Sequence, residues 1–177
     1  LRGADVITAA SAPIIDSLQA LGLKEPRVPI GVDLRTWPPL APRERRARQA
    51  RLIHVASLNR VKDQPTLLRA LAALAKTGLA FEMDIVGEDT LQGEMQQLAR
   101  QLGLEHHVRF PGFKTQRELR PLMESADLLV MSSLHETGPL ALLEAAVAGV
   151  PAVGTAVGHF AEWSPSAALA APVKNWN

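Results

Sequence analysis

The sequence predicts an α/β fold, a doubly wound parallel sheet covered by helices on both faces. Three observations lead there. From Arg51 onward, short apolar runs of strand length alternate with longer segments of helical spacing. The runs are short and mainly apolar, as expected for strands of a sheet covered by helices. Each run ends in a loop rich in Gly, Ser, Thr or charge. Such alternation gives βαβ units with right-handed crossovers.

Each element has a local reason. "ADVITAAS" reads as a short strand, and "APIIDSLQALGL" as a helix ending at Gly22. "RVPIGVDL" is extended, shaped by Pro29 and Gly31, and "TWPPLAPRERR" is rich in Pro and charge and reads as a linker. "RLIHVASL" is a buried strand. "QPTLLRALAALAKTG" is a helix with Asp63 or Gln64 as cap, Pro65 in its first turn and Gly78 at its end. "AFEMDIVG" is a strand, "TLQGEMQQLARQLGL" a polar-faced helix, "HVRFPG" a strand, and "QRELRPLMESA" a helix interrupted or bent near Pro121. "ADLLVMSS" is a strand, followed by a helix beginning near Pro139. "PAVGTAVG" is a strand and loop, and "AALAA" a last short strand.

The chain of 177 residues has room for one ordinary domain. Residues 1–40 are expected to form an interdomain or linker segment. Residues 41–177 are expected to form the ligand-binding domain, incomplete at its C-terminus. A net charge of +1 gives no global attraction to nucleic acid or membranes. The basic run "PRERRARQAR", Pro42 to Arg51, reads as a solvated linker or helix face. The absence of cysteine excludes disulfides, thiolate metal sites and thiol nucleophiles, and fits a reducing compartment. No apolar run reaches the ~18 residues that span a bilayer.

In an open parallel sheet, ligands bind beyond the carboxyl ends of the strands. The loops of interest are Ser57 to Asp63, Gly87 to Thr90, Gly112 to Thr115, Ser132 to Pro139 and Gly154 to His159. No strand is followed by G-x-G-x-x-G, which speaks against a nicotinamide or flavin enzyme. The most informative stretch is "SSLHETGPLALLEAAVAGV", Ser132 to Val150. Pro139 suits the first helical turn, with Thr137 or Gly138 as cap. The first N–H groups of that helix and its dipole form an anion site, and Gly138 lets a ligand approach the backbone. Glu144 lies about one turn on, on the face of Leu140; one turn is ~5.4 Å, roughly the step from a diphosphate to a ribose. A carboxylate there can accept bonds from two ribose hydroxyls. Glu136 stands in the loop on the other side, where a sugar would sit. The alternative is plainer: Glu136 complements the helix dipole and Glu144 is a solvated helix residue.

This stretch, with "VASLNRVKDQPTLLRAL", "IGVDLRTWPP" and "VRFPGF", resembles the retaining glycosyltransferases of the GT-B fold, family 4, also called group 1. The resemblance runs from about Ala4 to about Trp163, and it is to the C-terminal, donor-binding, Rossmann-like half. It implies transfer of a sugar from a nucleotide-diphosphate sugar with retention at the anomeric carbon, with no cofactor and no metal. Glu144 matches the glutamate that holds the ribose hydroxyls. Glu136 matches the catalytic-site glutamate near the transferred sugar. Thr137, Gly138, Pro139 and Leu140 match the backbone around sugar and diphosphate, and Lys62 the lysine that pairs with the diphosphate. Gly87, Phe113 and Lys114 fall in the loops that cradle the base, where Phe113 either stacks or packs.

The chain departs from the family pattern in three places. Ile30 replaces Asn in "IGVDLRTWPP". Ala56, Ser57 and Leu58 stand where the family has Gly-Arg-Leu, so Ser57 replaces a phosphate-binding arginine; Arg60 either supplies that charge or faces solvent. Gly158-His159 replaces Gly-Gly, and His159 either meets the donor phosphate or sugar or is structural. The resemblance further implies a missing N-terminal acceptor domain, on which any contact with a lipid acceptor or membrane largely depends; no nucleic-acid partner is expected from the charge. A cytoplasmic location, membrane-peripheral for the whole enzyme, follows from the same resemblance. Two other readings remain: a non-catalytic nucleotide-binding module of the same fold, and a sugar-nucleotide epimerase of GT-B architecture.

Overall fold

The structure is a computed structural model that describes residues 3–23, 26–41 and 49–174. Its centre is a six-stranded sheet in the order β3-β2-β1-β4-β5-β6. The strands are β1 (Ala50–Val55), β2 (Phe81–Val86), β3 (Val108–Gly112), β4 (Leu128–Met131), β5 (Ala152–Thr155) and β6 (Leu169–Ala171), and every pairing is parallel. The helices are α1 (Ala12–Ala20), α2 (Gln64–Ala75), α3 (Glu94–Gln101), α4 (Gln116–Ser125), α5 (Leu140–Val147) and α6 (His159–Trp163). The strand order reverses between β1 and β4. At that point loops leave in opposite directions and open a crevice.

Two cores sandwich the sheet because successive strand residues face opposite sides. Leu52, Phe81, Met83 and Ile85 pack with Leu67, Leu68 and Leu71 of α2 and with Met95 and Ala99 of α3. Ile53, Leu129 and Met131 pack on the other face, with Leu119 and Met123 of α4, Leu142 and Ala145 of α5, and Phe160 of α6. Neighbours in β4 show the alternation: Leu129 and Met131 join the second core, while Leu128 and Val130 lie against the first.

Several local expectations change in three dimensions. "ADVITAAS" forms no strand; it lies outside the main sheet, and a single parallel bridge from Ala9 to Arg27 is too short a pairing to extend it. α4 runs on through Pro121 without interruption. It loses one main-chain bond there, and a capping box of Thr115 with Glu118 and the burial of Leu119 and Met123 hold it. Of the two expected caps of α2, the N-cap position is held by Asp63, in a left-handed conformation. α5 starts one residue later than expected: Pro139 is itself the N-cap, with extended ψ, and Leu140 opens the helix.

The described part of residues 1–40 is fastened to the sheet domain. Trp37 is 3% exposed and belongs to the second core. Its indole donates to Gln116 at 2.7 Å, Leu40 N–H bonds Val147 O, and Arg120 reaches Thr36 O. Arg27 and the Ala12 N–H both meet the Glu162 carboxylate. Of the basic run Pro42 to Arg51, residues 42–48 lie outside the described residues.

Candidate donor-binding site

A cavity of about 400 Å³ opens at the carboxyl ends of β1, β2, β3 and β4, across the point where the strand order reverses. Ser57, Lys62, Gly87, Phe113, Lys114, Glu136, Gly138, Pro139, Leu140 and Glu144 all line it. Residues that are far apart in the chain meet here because the parallel topology delivers four loops to one edge.

The β1 loop, Ser57 to Asp63, is locked to the β4 loop. Leu134 N–H donates to Val61 O, and Ser132 Oγ donates to Lys62 O at 2.8 Å. Lys62 Nζ meets Glu136 Oε1 at 2.5 Å, and Ser133 Oγ donates to the same oxygen at 2.7 Å. The glutamate side chain is 9% exposed and the lysine 23%, so this pair is shielded from bulk screening. The one cation that the β1 loop turns into the cavity is thus held against the one carboxylate of the β4 loop.

Ser57 lines the cavity, and its carbonyl accepts a bond from Gln64 Nε2 at 3.1 Å. Arg60 does not join it. Asn59 Oδ1 accepts the main-chain N–H groups of Val61 and Lys62, closing a turn in which Lys62 faces inward and Arg60 outward. Arg60 pairs with Glu94 on α3 and is 76% exposed. The Ser57 change is therefore not offset by Arg60 in this arrangement. Thr137 is exposed and also lies off the cavity lining.

Glu144 sits one turn into α5, 3% exposed, with Gln116 Nε2 donating to Oε1 at 2.9 Å. Burial raises its pKa above the usual carboxylate range, and the Gln116 bond opposes that rise. Gln116 is itself oriented by Trp37, so Trp37, Gln116 and Glu144 form one chain. Glu144 is not a solvated helix residue. Phe113 is 70% exposed at the cavity rim, so its ring is not core packing.

Gly87 allows the β1 and β2 loops to touch: a Cβ there would lie 2.0 Å from Ala56 O. His54, on β1 beneath the Ser57 loop, is fully buried. Its Nδ1 meets Val130 O at 2.9 Å and its Nε2 meets Gln64 Nε2 at 3.3 Å. Burial lowers its pKa to about 4, with the nearby Lys62 charge pushing the same way and the Val130 bond opposing. The ring is neutral; Nδ1 donates to Val130 and Nε2 accepts from Gln64.

Sequence reasoning missed His54, Gln64, Gln116, Ser133 and Trp37. His54 left one signal, a polar residue inside an otherwise apolar strand. Gln116 left none, since it stands just past the loop that ends at Thr115.

A crevice at the strand-order reversal of a parallel sheet, lined by an inward lysine and two shielded carboxylates, is a polar ligand site, and the comparisons give the family to which the domain belongs. Residues 41–167 match the family described as glycosyl transferases group 1, and the chain belongs to that family. It is 33% identical to the glycogen synthase of Mycobacterium tuberculosis over 166 residues, 92% of this chain and 40% of that protein. It is 35% identical over 136 residues to the GDP-mannose-dependent alpha-(1-6)-phosphatidylinositol dimannoside mannosyltransferase of the same species, 71% of this chain and 34% of that protein. The fold matches the structure of Anabaena HepE in complex with UDP and glucose with a TM-score of 0.79 at 21% identity, covering 98% of this chain and 51% of that one. The chain thus spans 34–40% of the length of these two relatives. The fold is α/β and Rossmann-like, and it matches about half of the GT-B structure of HepE. Among the described residues no helix is long and apolar enough to cross a membrane.

Proposed function

We propose that this chain is the donor half of a retaining glycosyltransferase that takes its sugar from a nucleotide diphosphate. The observation that carries the reading is the meeting of Lys62, Glu136 and Glu144 in one cavity at the β1/β4 reversal. The diphosphate lies between the start of α5 and Lys62, and Glu144 accepts the two ribose hydroxyls. Phe113, Lys114 and Gly87 border the base. Glu136, with the main chain of Thr137 to Leu140, orients the sugar.

During transfer the bond from the anomeric carbon to the β-phosphate oxygen breaks, and its electron pair leaves with the diphosphate. Lys62 and the helix N-terminus stabilise that charge without a metal. The acceptor hydroxyl attacks the same face of the anomeric carbon, and its proton passes to the leaving phosphate oxygen. A second, N-terminal domain supplies the acceptor and part of the machinery, along with any lipid or membrane contact. The relatives' lengths support that division. The chain by itself binds nucleotide and barely turns over.

The test is calorimetric titration of the chain with UDP, GDP, ADP and their common sugar conjugates, in EDTA. Tight binding of one base, weakened about tenfold or more by both Glu144→Ala and Lys62→Ala, is expected. No binding by the folded chain, or binding only with added divalent metal, would overturn the reading.

A further inference from the structure

Gln116, the first residue of α4, lines the donor cavity and belongs to no motif that the sequence singles out. It is exposed there, so core packing does not account for it. Its two hydrogen bonds do more. Gln116 Oε1 accepts the indole N–H of Trp37 at 2.7 Å, and Nε2 donates to Glu144 Oε1 at 2.9 Å. An indole can only donate, so the amide oxygen has to face Trp37. The amide NH2 is then turned to Glu144, and Glu144 Oε1 has to accept. The reversed amide would set one N–H against another and one oxygen against a carboxylate.

Trp37 is a firm anchor for that direction. Its ring belongs to the second core, and the segment that carries it is bound to both helices of the site. Arg120 of α4 donates to Thr36 O, and Leu40 N–H donates to Val147 O of α5. Gln116 on α4 and Glu144 on α5 are thus held at one spacing by a third stretch of chain. The bond from Gln116 takes one of the roughly four lone-pair positions of the carboxylate. Among the described residues that carboxylate has no other hydrogen-bond partner, and Glu144 lines the cavity, so Oε2 remains for a ligand.

We propose that Gln116 is a positioning residue for ribose recognition: held by Trp37, it fixes the Glu144 carboxylate as acceptor for both ribose hydroxyls of the donor nucleotide. The inference rests on the donor-site reading, which gives those hydroxyls to Glu144, and adds the residue that aims the carboxylate. Two hydroxyls on adjacent carbons both donate to a carboxylate only over a narrow range of its rotations. A carboxylate fixed beforehand meets them without an ordering cost, whereas a loose one has to be ordered by the ligand. Gln116 therefore bears on the discrimination of ribose from 2′-deoxyribose and leaves base and diphosphate untouched.

The experiment is calorimetry of wild type, Gln116→Met and Trp37→Phe with UDP, GDP and ADP, each against its 2′-deoxy counterpart. Gln116→Met keeps the length of the side chain and removes the amide. Trp37→Phe leaves Gln116 in place and removes the bond that orients it. Wild type should prefer the ribonucleotide of the base it binds by about tenfold, the worth of one hydrogen bond to a charged group. In Gln116→Met the preference should fall to about threefold or less, with affinity for the 2′-deoxy nucleotide unchanged within about twofold. Trp37→Phe should shift the preference in the same direction. Equal losses for the ribo and 2′-deoxy ligands would mean that Gln116 only supports the loop, and would overturn the proposal. So would a full ribose preference in Gln116→Met. A full preference in Trp37→Phe alone would overturn the part given to Trp37. Wild type that binds ribo and 2′-deoxy nucleotides equally would instead sink the assignment of ribose to Glu144, and failure to bind any of the six would sink the donor-site reading itself.

Discussion

At the scale of single residues, the cation and the carboxylate of the facing loops neutralise each other. Lys62, the cation that the proposed function assigns to a diphosphate, is paired with Glu136, and Ser133 donates to the same carboxylate oxygen. On the proposed function, a phosphate competes with that carboxylate, and winning the lysine would release Glu136 for a sugar hydroxyl. Phosphate arrival and sugar contact would thereby be coupled through one ion pair. Glu136→Gln removes the competitor while keeping the shape. It should raise the affinity for UDP, GDP or ADP, whichever binds, by about threefold to tenfold, the worth of a partly shielded ion pair. The same change should lower transfer in the complete enzyme. Calorimetry of the variant against wild type checks the first part, and unchanged or weaker diphosphate binding would contradict it.

At the scale of elements, the site depends on close approach of loops rather than on any one helix. The β1 and β2 loops touch at Gly87 and Ala56. The β1 and β4 loops are joined by Leu134, Ser132 and the Lys62 pair. Beneath them, Gln64 links Ser57 to His54, which reaches across to β4. Gly87→Ala places a methyl group 2.0 Å from a main-chain oxygen that cannot rotate away. It should cost about 3 kcal/mol of stability through strain between β1 and β2. Urea unfolding measures that cost, and a near-neutral result would show that the two loops separate easily.

At the scale of the whole molecule, two buried groups shape the pH dependence of stability in opposite senses. His54 has a folded pKa of about 4 against an ordinary 6.5. Below 6.5 the unfolded chain takes up a proton that the folded chain refuses, so stability falls as pH drops from 6.5 to 4. The full effect is on the order of 3 kcal/mol. Glu144 acts the other way: its raised pKa favours the folded, protonated state, and that contribution is lost as pH rises through the folded value. Thermal melts of wild type should show stability rising from pH 4 to 6.5. In His54→Gln that rise should flatten. A wild-type profile already flat over that range would rule out His54 as its source.

Sequence by itself determined the strand–helix alternation from Arg51 onward, the five loops that face the ligand edge, and most residues of the cavity. These are local properties: short apolar runs, Gly and Pro at element ends, and motif spacing within one loop-helix unit. The helix after Pro139 was legible within one residue, and Glu144 one turn along it. Tertiary structure alone decided the rest. Arg60 and Lys62 are two residues apart, but only the Asn59 turn settles which faces the cavity and which meets Glu94. Whether Glu144 is solvated depends on Gln116 and Trp37, 28 and 107 positions earlier in the chain. His159 and Gly138 are complementary in size because β4 and β5 are neighbours in the sheet. The physical reason is common to all three. Local sequence sets backbone conformation, but burial, charge pairing and steric fit are set by what the fold brings against each side chain.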